Sequence, residues 1–137
     1  MSDVFTLTNE QKEALARAGV VLCYLHGSVA KGTAREDSDV DVAVLFEHLP
    51  KDTIKATAVV VAALEGFVPE RELDIAILNE ADPLLVQTVA SRGMLLYGRS
   101  ADDRLQLEFC ALREYEASRR VVDLGRRLAL ARVGLKL

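Results

Sequence analysis

Apolar and polar positions change period several times along the chain, and each change marks an element. Thr8 precedes a helical stretch that runs to Gly19; its hydroxyl caps the first turn, and Gln11 reaches back to it in a T-x-x-Q capping box. Val20 to Leu25 is an unbroken apolar run and predicts a buried strand. From Asp39 to Phe46 the pattern alternates with period two, which sets Val40, Val42, Val44 and Phe46 on one strand face and Asp39, Asp41 and Ala43 on the other. Lys51 to about Gly66 predicts a helix, and Glu72 to Leu78 a strand. Asp82 to about Arg92 predicts a helix opened by Asp82-Pro83, and Met94 to Tyr97 a short strand. From Ser100 a capped helical pattern runs nearly to the C-terminus. Strands alternating with helices predict an α/β (α+β) fold: a small mixed β-sheet flanked by helices, with a long C-terminal helix.

Composition narrows the class. At 137 residues, half of them hydrophobic and 28% charged, the chain holds enough apolar material for one core and is expected to form one domain over residues 1–137. Seventeen Lys and Arg against 21 Asp and Glu leave a net charge of -4, which is not the basic footprint of a nucleic-acid binder. The charge is uneven. Residues 119–137 carry six cations (Arg119, Arg120, Arg126, Arg127, Arg132 and Lys136) against Asp123, leaving 11 cations and 20 acids elsewhere. Val121, Leu124, Leu128 and Leu135 recur there at helical spacing, so this arm is expected to be amphipathic, its stripe packed on the domain and its arginines solvated. Docking to an acidic partner surface, or self-association, is the alternative. Cys23 and Cys110 each lie in an apolar stretch without a CxxC or Cys/His cluster, the pattern of buried reduced thiols. The first residues lack a positive charge followed by an apolar run, and no stretch has 18 consecutive apolar residues. A soluble cytoplasmic protein with no membrane contact is expected.

The chemistry is concentrated in residues 26–46, HGSVAKGTAREDSDVDVAVLF. A strand ends in Gly27-Ser28, a short turn-forming stretch follows, and the next strand opens with Asp39-x-Asp41. Glycine at a strand end lets phosphate oxygens approach the backbone, while the following amides and the Ser28 hydroxyl donate to them. Asp39 and Asp41 share a strand face and offer hard oxygen ligands, and Mg2+ takes only one or two protein carboxylates besides substrate phosphates. A Walker A loop is excluded: after Gly27-x4-Gly32 it requires Lys and then Ser or Thr, and Thr33-Ala34 stand there.

Gly27-Ser28, ten intervening residues and Asp39-Val40-Asp41 resemble the signature of the DNA polymerase β-type nucleotidyltransferase superfamily. GSVAKG, SDVDVAVL and the downstream MLLYGRSADDRLQLEFCALREYEASRR look most like the minimal nucleotidyltransferases, antitoxin partners of HEPN-domain toxins. The resemblance implies a nucleotidyltransferase fold with its catalytic motif at 27–41, a third carboxylate at Asp74, and a helical arm over about 100–137. It also implies ATP as substrate and two Mg2+ ions, replaceable by Mn2+, held by Asp39, Asp41 and Asp74. Gly27, Ser28 and Lys31, where many relatives carry Arg, would bind the nucleotide. The implied reaction moves AMP to a tyrosine of the cognate toxin, with which the chain would assemble.

Each residue also has a plainer reading. A lone Asp-x-Asp is often only a solvated strand face, and it is the Gly-Ser turn at this spacing that favours chemistry. Asp74 would otherwise face water. Glu36 and Asp37 read as a solvated turn, Lys31 and Arg35 as phosphate contacts or solvated cations, and His26 as a packed structural histidine. Two other functions remain open. One is a small-molecule nucleotidyltransferase of the aminoglycoside type, for whose additional helical domain 137 residues leave little space. The other is a non-catalytic antitoxin that neutralises its partner by occupying its surface.

Overall fold

A computed structural model of the chain describes residues 5–27, 39–132 and 134. Four strands, β1 (Val20–His26), β2 (Val40–Phe46), β3 (Leu73–Ile77) and β4 (Met94–Gly98), form one sheet in the order β3-β2-β1-β4. β1 is antiparallel to β2 and β4, and β2 is parallel to β3, which makes the mixed sheet that the sequence predicts. Helices α1 (Asn9–Arg17) and α2 (Thr53–Ala63) belong to one face, α3 (Pro83–Arg92) and α4 (Ala101–Arg132) to the other. Among the described residues no helix is long and apolar enough to cross a membrane.

Two apolar cores result. On the first face Val40, Val42, Val44 and Phe46 pack with Leu15 of α1 and with Val60 and Leu64 at the end of α2. On the second, Ala43 and Tyr24 pack with Val86, Val89 and Ala90 of α3 and with Leu107 and Ala111 of α4. A bulge in β1 lets one strand serve both: Val20 pairs with Phe46 but Leu22 with Leu45, so one extra residue shifts the side-chain phase. Val20, Cys23 and Leu25 therefore share the first core, while Val21, Leu22 and Tyr24 share the second.

Local chemistry sets the boundaries. The capping box at the start of α1 is present, with Gln11 N–H donating to Thr8 Oγ1 at 3.1 Å and Thr8 N–H to Gln11 Oε1 at 2.8 Å. The buried Gln11 amide also donates to the Glu65 carbonyl at 2.9 Å, tying α1 to the end of α2. Asp52 caps α2, which starts two residues later and stops three residues sooner than its sequence pattern suggests. β3 ends at Ile77, where a 3-10 turn, Leu78–Glu80, takes over. There the Asn79 side chain accepts from Phe46 N–H and donates to Phe46 C=O, both at 2.9 Å, standing in for the next ladder residue beside β2.

Two expectations about the last helix fail. Cys110 is exposed rather than buried, because it lies off the α4 side occupied by Leu107 and Ala111. The arm does not pack its stripe: Val121 is 71% exposed, Leu124 57% and Leu128 58%, and neither core takes in a residue of α4 beyond Ala111. Leu135 and Lys136 lie outside the described residues.

Two outcomes follow. Truncation after Ser118 removes none of the residues that form the two cores, so the melting temperature should stay within about 3 °C of the full chain; a larger fall would place the arm against the body. In the folded protein a maleimide should label Cys110 rapidly at neutral pH. Cys23, whose thiol is pushed up to about 12 by burial, should react only after unfolding, and mass spectrometry counts the labels.

Candidate active site

The sheet sets three polar side chains in a row. In the antiparallel pairing of β1 with β2, His26 lies opposite Asp41; in the parallel pairing of β2 with β3, Asp41 lies beside Asp74. Paired residues project from the same sheet face, so His26, Asp41 and Asp74 stand side by side across three strands. Their face is the one that carries Ala43 further along β2, and the first core holds Val40 and Val42 on the opposite face. Asp39, exposed and immediately before β2, adds a third carboxylate near enough for its charge to act on Asp41.

Gly27 closes the row from below. Its φ of +76° is left-handed, and a Cβ built there would overlap Asp41 Oδ2. The glycine thus meets two demands, a backbone conformation that other residues adopt with strain and a close seat for a carboxylate. The phosphate-approach role expected of Gly27 gains this second duty toward Asp41.

The electrostatics identify the member under most tension. Burial raises the Asp41 carboxyl above the ordinary carboxylate range; His26 opposes the rise, while the charges of Asp74 and Asp39 and a hydrogen bond with Asp74 add to it. Burial lowers His26, against the pull of Asp41 and Asp74, and keeps the imidazole toward its neutral form. Its Nε2 is enclosed and has no hydrogen-bond partner among the described residues. A buried polar atom left in that state costs about 1–3 kcal/mol, so this nitrogen calls for a partner beyond the contacts of the described residues.

Among the described residues no three His, Cys, Asp or Glu side chains already converge as a metal cage. The donor set nevertheless fits a hard divalent ion: Asp41 and Asp74 are oxygen ligands on neighbouring strands, and Mg2+ completes its shell with phosphate and water. A cation would also offset the burial and the neighbouring negative charges that raise Asp41. Of the residues expected from sequence, the structure brings Gly27, Asp41 and Asp74 together, with Asp39 one step out. Ser28, Lys31, Arg35, Glu36 and Asp37 lie outside the described residues. His26 was visible in sequence only as a histidine before the Gly-Ser turn; its parity with Tyr24 and the pairing of β1 with β2 reveal which way it faces.

Comparison with known proteins identifies the family and the fold. A family model described as Polymerase beta, Nucleotidyltransferase matches residues 9–102. The protein adenylyltransferase MntA of Shewanella oneidensis is 34% identical over 85 residues, 61% of this chain and 58% of that protein. Its namesake from Thermococcus cleftensis is 48% identical over 44 residues, 32% of this chain and 44% of that protein. The match thus spans about half the length of these curated relatives. A crystal structure of a toxin-antitoxin with AMP-PNP has a TM-score of 0.65 at 24% identity, covering 93% of this chain and all of that one. A tri-AMPylated Shewanella oneidensis HEPN toxin in complex with MNT antitoxin gives a TM-score of 0.57 at 19% identity, covering 91% of this chain and 97% of the other. At these identities the structures establish the fold.

Gly27→Ala tests the seat of Asp41. Forcing φ of +76° on alanine and displacing the carboxylate should cost about 1–3 kcal/mol in denaturant unfolding. A loss below about 0.5 kcal/mol would mean that Asp41 swings aside freely.

Proposed function

This chain belongs to the polymerase β nucleotidyltransferase family, and from that premise we propose that it is a cytoplasmic antitoxin that transfers AMP from ATP to a tyrosine of its cognate HEPN-domain toxin. The observation that carries the reading is the placement of Asp41 and Asp74 side by side, with Asp39 near enough for its charge to act on Asp41 and Gly27 against Asp41. The names of the two MntA relatives favour AMP as the transferred unit and a protein as the acceptor.

The chain's own residues have limited covalent work. The tyrosine oxygen attacks the α-phosphorus of ATP, the bond from that phosphorus to the bridging oxygen of the β-phosphate breaks, and pyrophosphate leaves. A free phenol has a pKa near about 10, so its proton needs an acceptor at neutral pH. Asp74, on the edge strand and exposed, is the carboxylate placed to take it from an incoming protein surface. Asp41, held by the ladder and by Gly27, and Asp39 before it would hold Mg2+ or Mn2+ together with Asp74. When bound, those ions offset the triphosphate charge and stabilise the attacking and leaving oxygens. Gly27, Ser28 and Lys31 would receive the phosphates. The open edge beside Asp74 suits an acceptor that brings its own surface, and the AMP added near the toxin's active site would silence it by charge and bulk.

Incubation with ATP, Mg2+ and the neighbouring HEPN protein should add one or more AMP masses to a toxin tyrosine, read by intact-mass spectrometry. Asp39→Ala combined with Asp41→Ala should abolish the transfer without unfolding the chain. Asp74→Asn should lower turnover at least about 100-fold while ATP affinity changes little. Neutralisation that persists in Asp39→Ala without added mass would instead indicate an antitoxin that acts by binding alone. Added mass only on small alcohols would indicate a small-molecule enzyme.

A further inference from the structure

We propose that His26 is a positioning residue for Asp41: its enclosed Nε2, unpartnered among the described residues, is the donor that the Asp41 carboxylate takes up when the nucleotide and its divalent cation bind, which fixes how that carboxylate is presented to the cation. The inference rests on the nucleotidyl-transfer reading and names a residue that reading does not use. Three observations converge on it. His26 and Asp41 are direct partners across β1 and β2, and their side chains leave the same face of the sheet. Gly27, the next residue, seats Asp41 Oδ2, so one end of β1 confines the carboxylate from two sides. Finally, Nε2 is enclosed without a partner among the described residues.

The orphan nitrogen separates this role from mere packing. An apolar ring of similar size would fill the same space without an unsatisfied atom, so packing alone does not account for an imidazole here. A carboxylate only accepts hydrogen bonds, and a neutral imidazole donates from one nitrogen, so the bond requires the Nε2–H tautomer. Outer partners of this kind orient a metal-binding carboxylate, and their loss typically weakens metal affinity about 10–100-fold.

The test uses the full chain with a non-hydrolysable ATP analogue and follows free Mn2+ by electron paramagnetic resonance. His26→Phe should weaken Mn2+ binding at least about 10-fold without lowering the melting temperature. His26→Gln, whose amide also donates, should recover most of that loss. Unchanged Mn2+ binding in His26→Phe, or a Gln variant as weak as the Phe variant, overturns the inference. With Mg2+ in place of Mn2+, nitrogen NMR of the wild type should find the Nε2–H tautomer of His26. An Nδ1–H tautomer overturns the inference however the variants fold. A wild-type chain that binds no Mn2+ with the analogue overturns the nucleotidyl-transfer reading as well, whereas normal binding that is indifferent to His26 overturns only the role given to His26.

Discussion

Asp41 and Asp74 occupy paired positions on β2 and β3, so two like charges are held at side-chain distance by a ladder that neither can leave. Two unit charges 4 Å apart repel by about 4 kcal/mol at the effective dielectric near a protein surface. Burial first, and then the neighbouring charges of Asp74 and Asp39, raise the Asp41 carboxyl above the ordinary carboxylate range. On the proposed reading, a cation at this pair would replace repulsion with attraction at both oxygen sets. The strain is local, and the rest of the sheet keeps it from relaxing.

That restraint comes from the strands behind the site. Val40, Val42 and Val44 are fully buried, so β2 cannot slip or rotate without exposing the first core. A one-residue slip would also turn Asp41 into that core and a valine into the site. The bulge in β1 matters for the same reason. It lets Val20 join the first core while His26, at the other end of the strand, still faces the acidic row. Asn79 anchors the far end of β2 through Phe46, where the chain leaves β3. The site is thus carried on a strand fixed at both ends and along one whole face.

The strands and their facing were legible because period-two alternation and burial are the same fact seen twice. Asp39 and Asp41 fall opposite Val40 and Val42 by parity alone, and the capping signals at Thr8 and Asp82 mark helix starts that the structure retains. What stayed hidden depends on contacts between elements far apart in sequence. The side-by-side placement of Asp74 and Asp41 required the parallel register of β3 on β2, and the family resemblance supplied Asp74 before any register was available. The role of His26 required strand pairing as well, since a histidine beside a turn has no periodic signature. The seat that Gly27 gives Asp41 could not be read from a glycine that already had a reason to be there. The arm misled for the opposite reason. Its helical spacing was real, but periodicity shows which side is apolar and not whether anything lies against it, and Val121, Leu124 and Leu128 face solvent.

Charge balance constrains how such a site is filled. The three carboxylates, Asp39, Asp41 and Asp74, would repel a triphosphate that arrived alone, and residues 1–118 carry 11 cations against 20 acids. Lys31 and Arg35, between the turn and the acidic pair, supply at most two compensating charges from that stretch of sequence. On the proposed reading, that deficit favours a nucleotide that arrives with its cation, so that the complex would bring positive charge to the carboxylates. A second charge imbalance lies in the arm, where five arginines of α4 follow Ser118 with only Asp123 against them. The body buries none of that stretch, and among the described residues Arg119 alone of these arginines pairs with an acid, Glu116, at 4.0 Å. The chain therefore keeps its acidic row and its basic, apolar helix as separate surfaces, the first held by the sheet ladder and the second exposed to solvent.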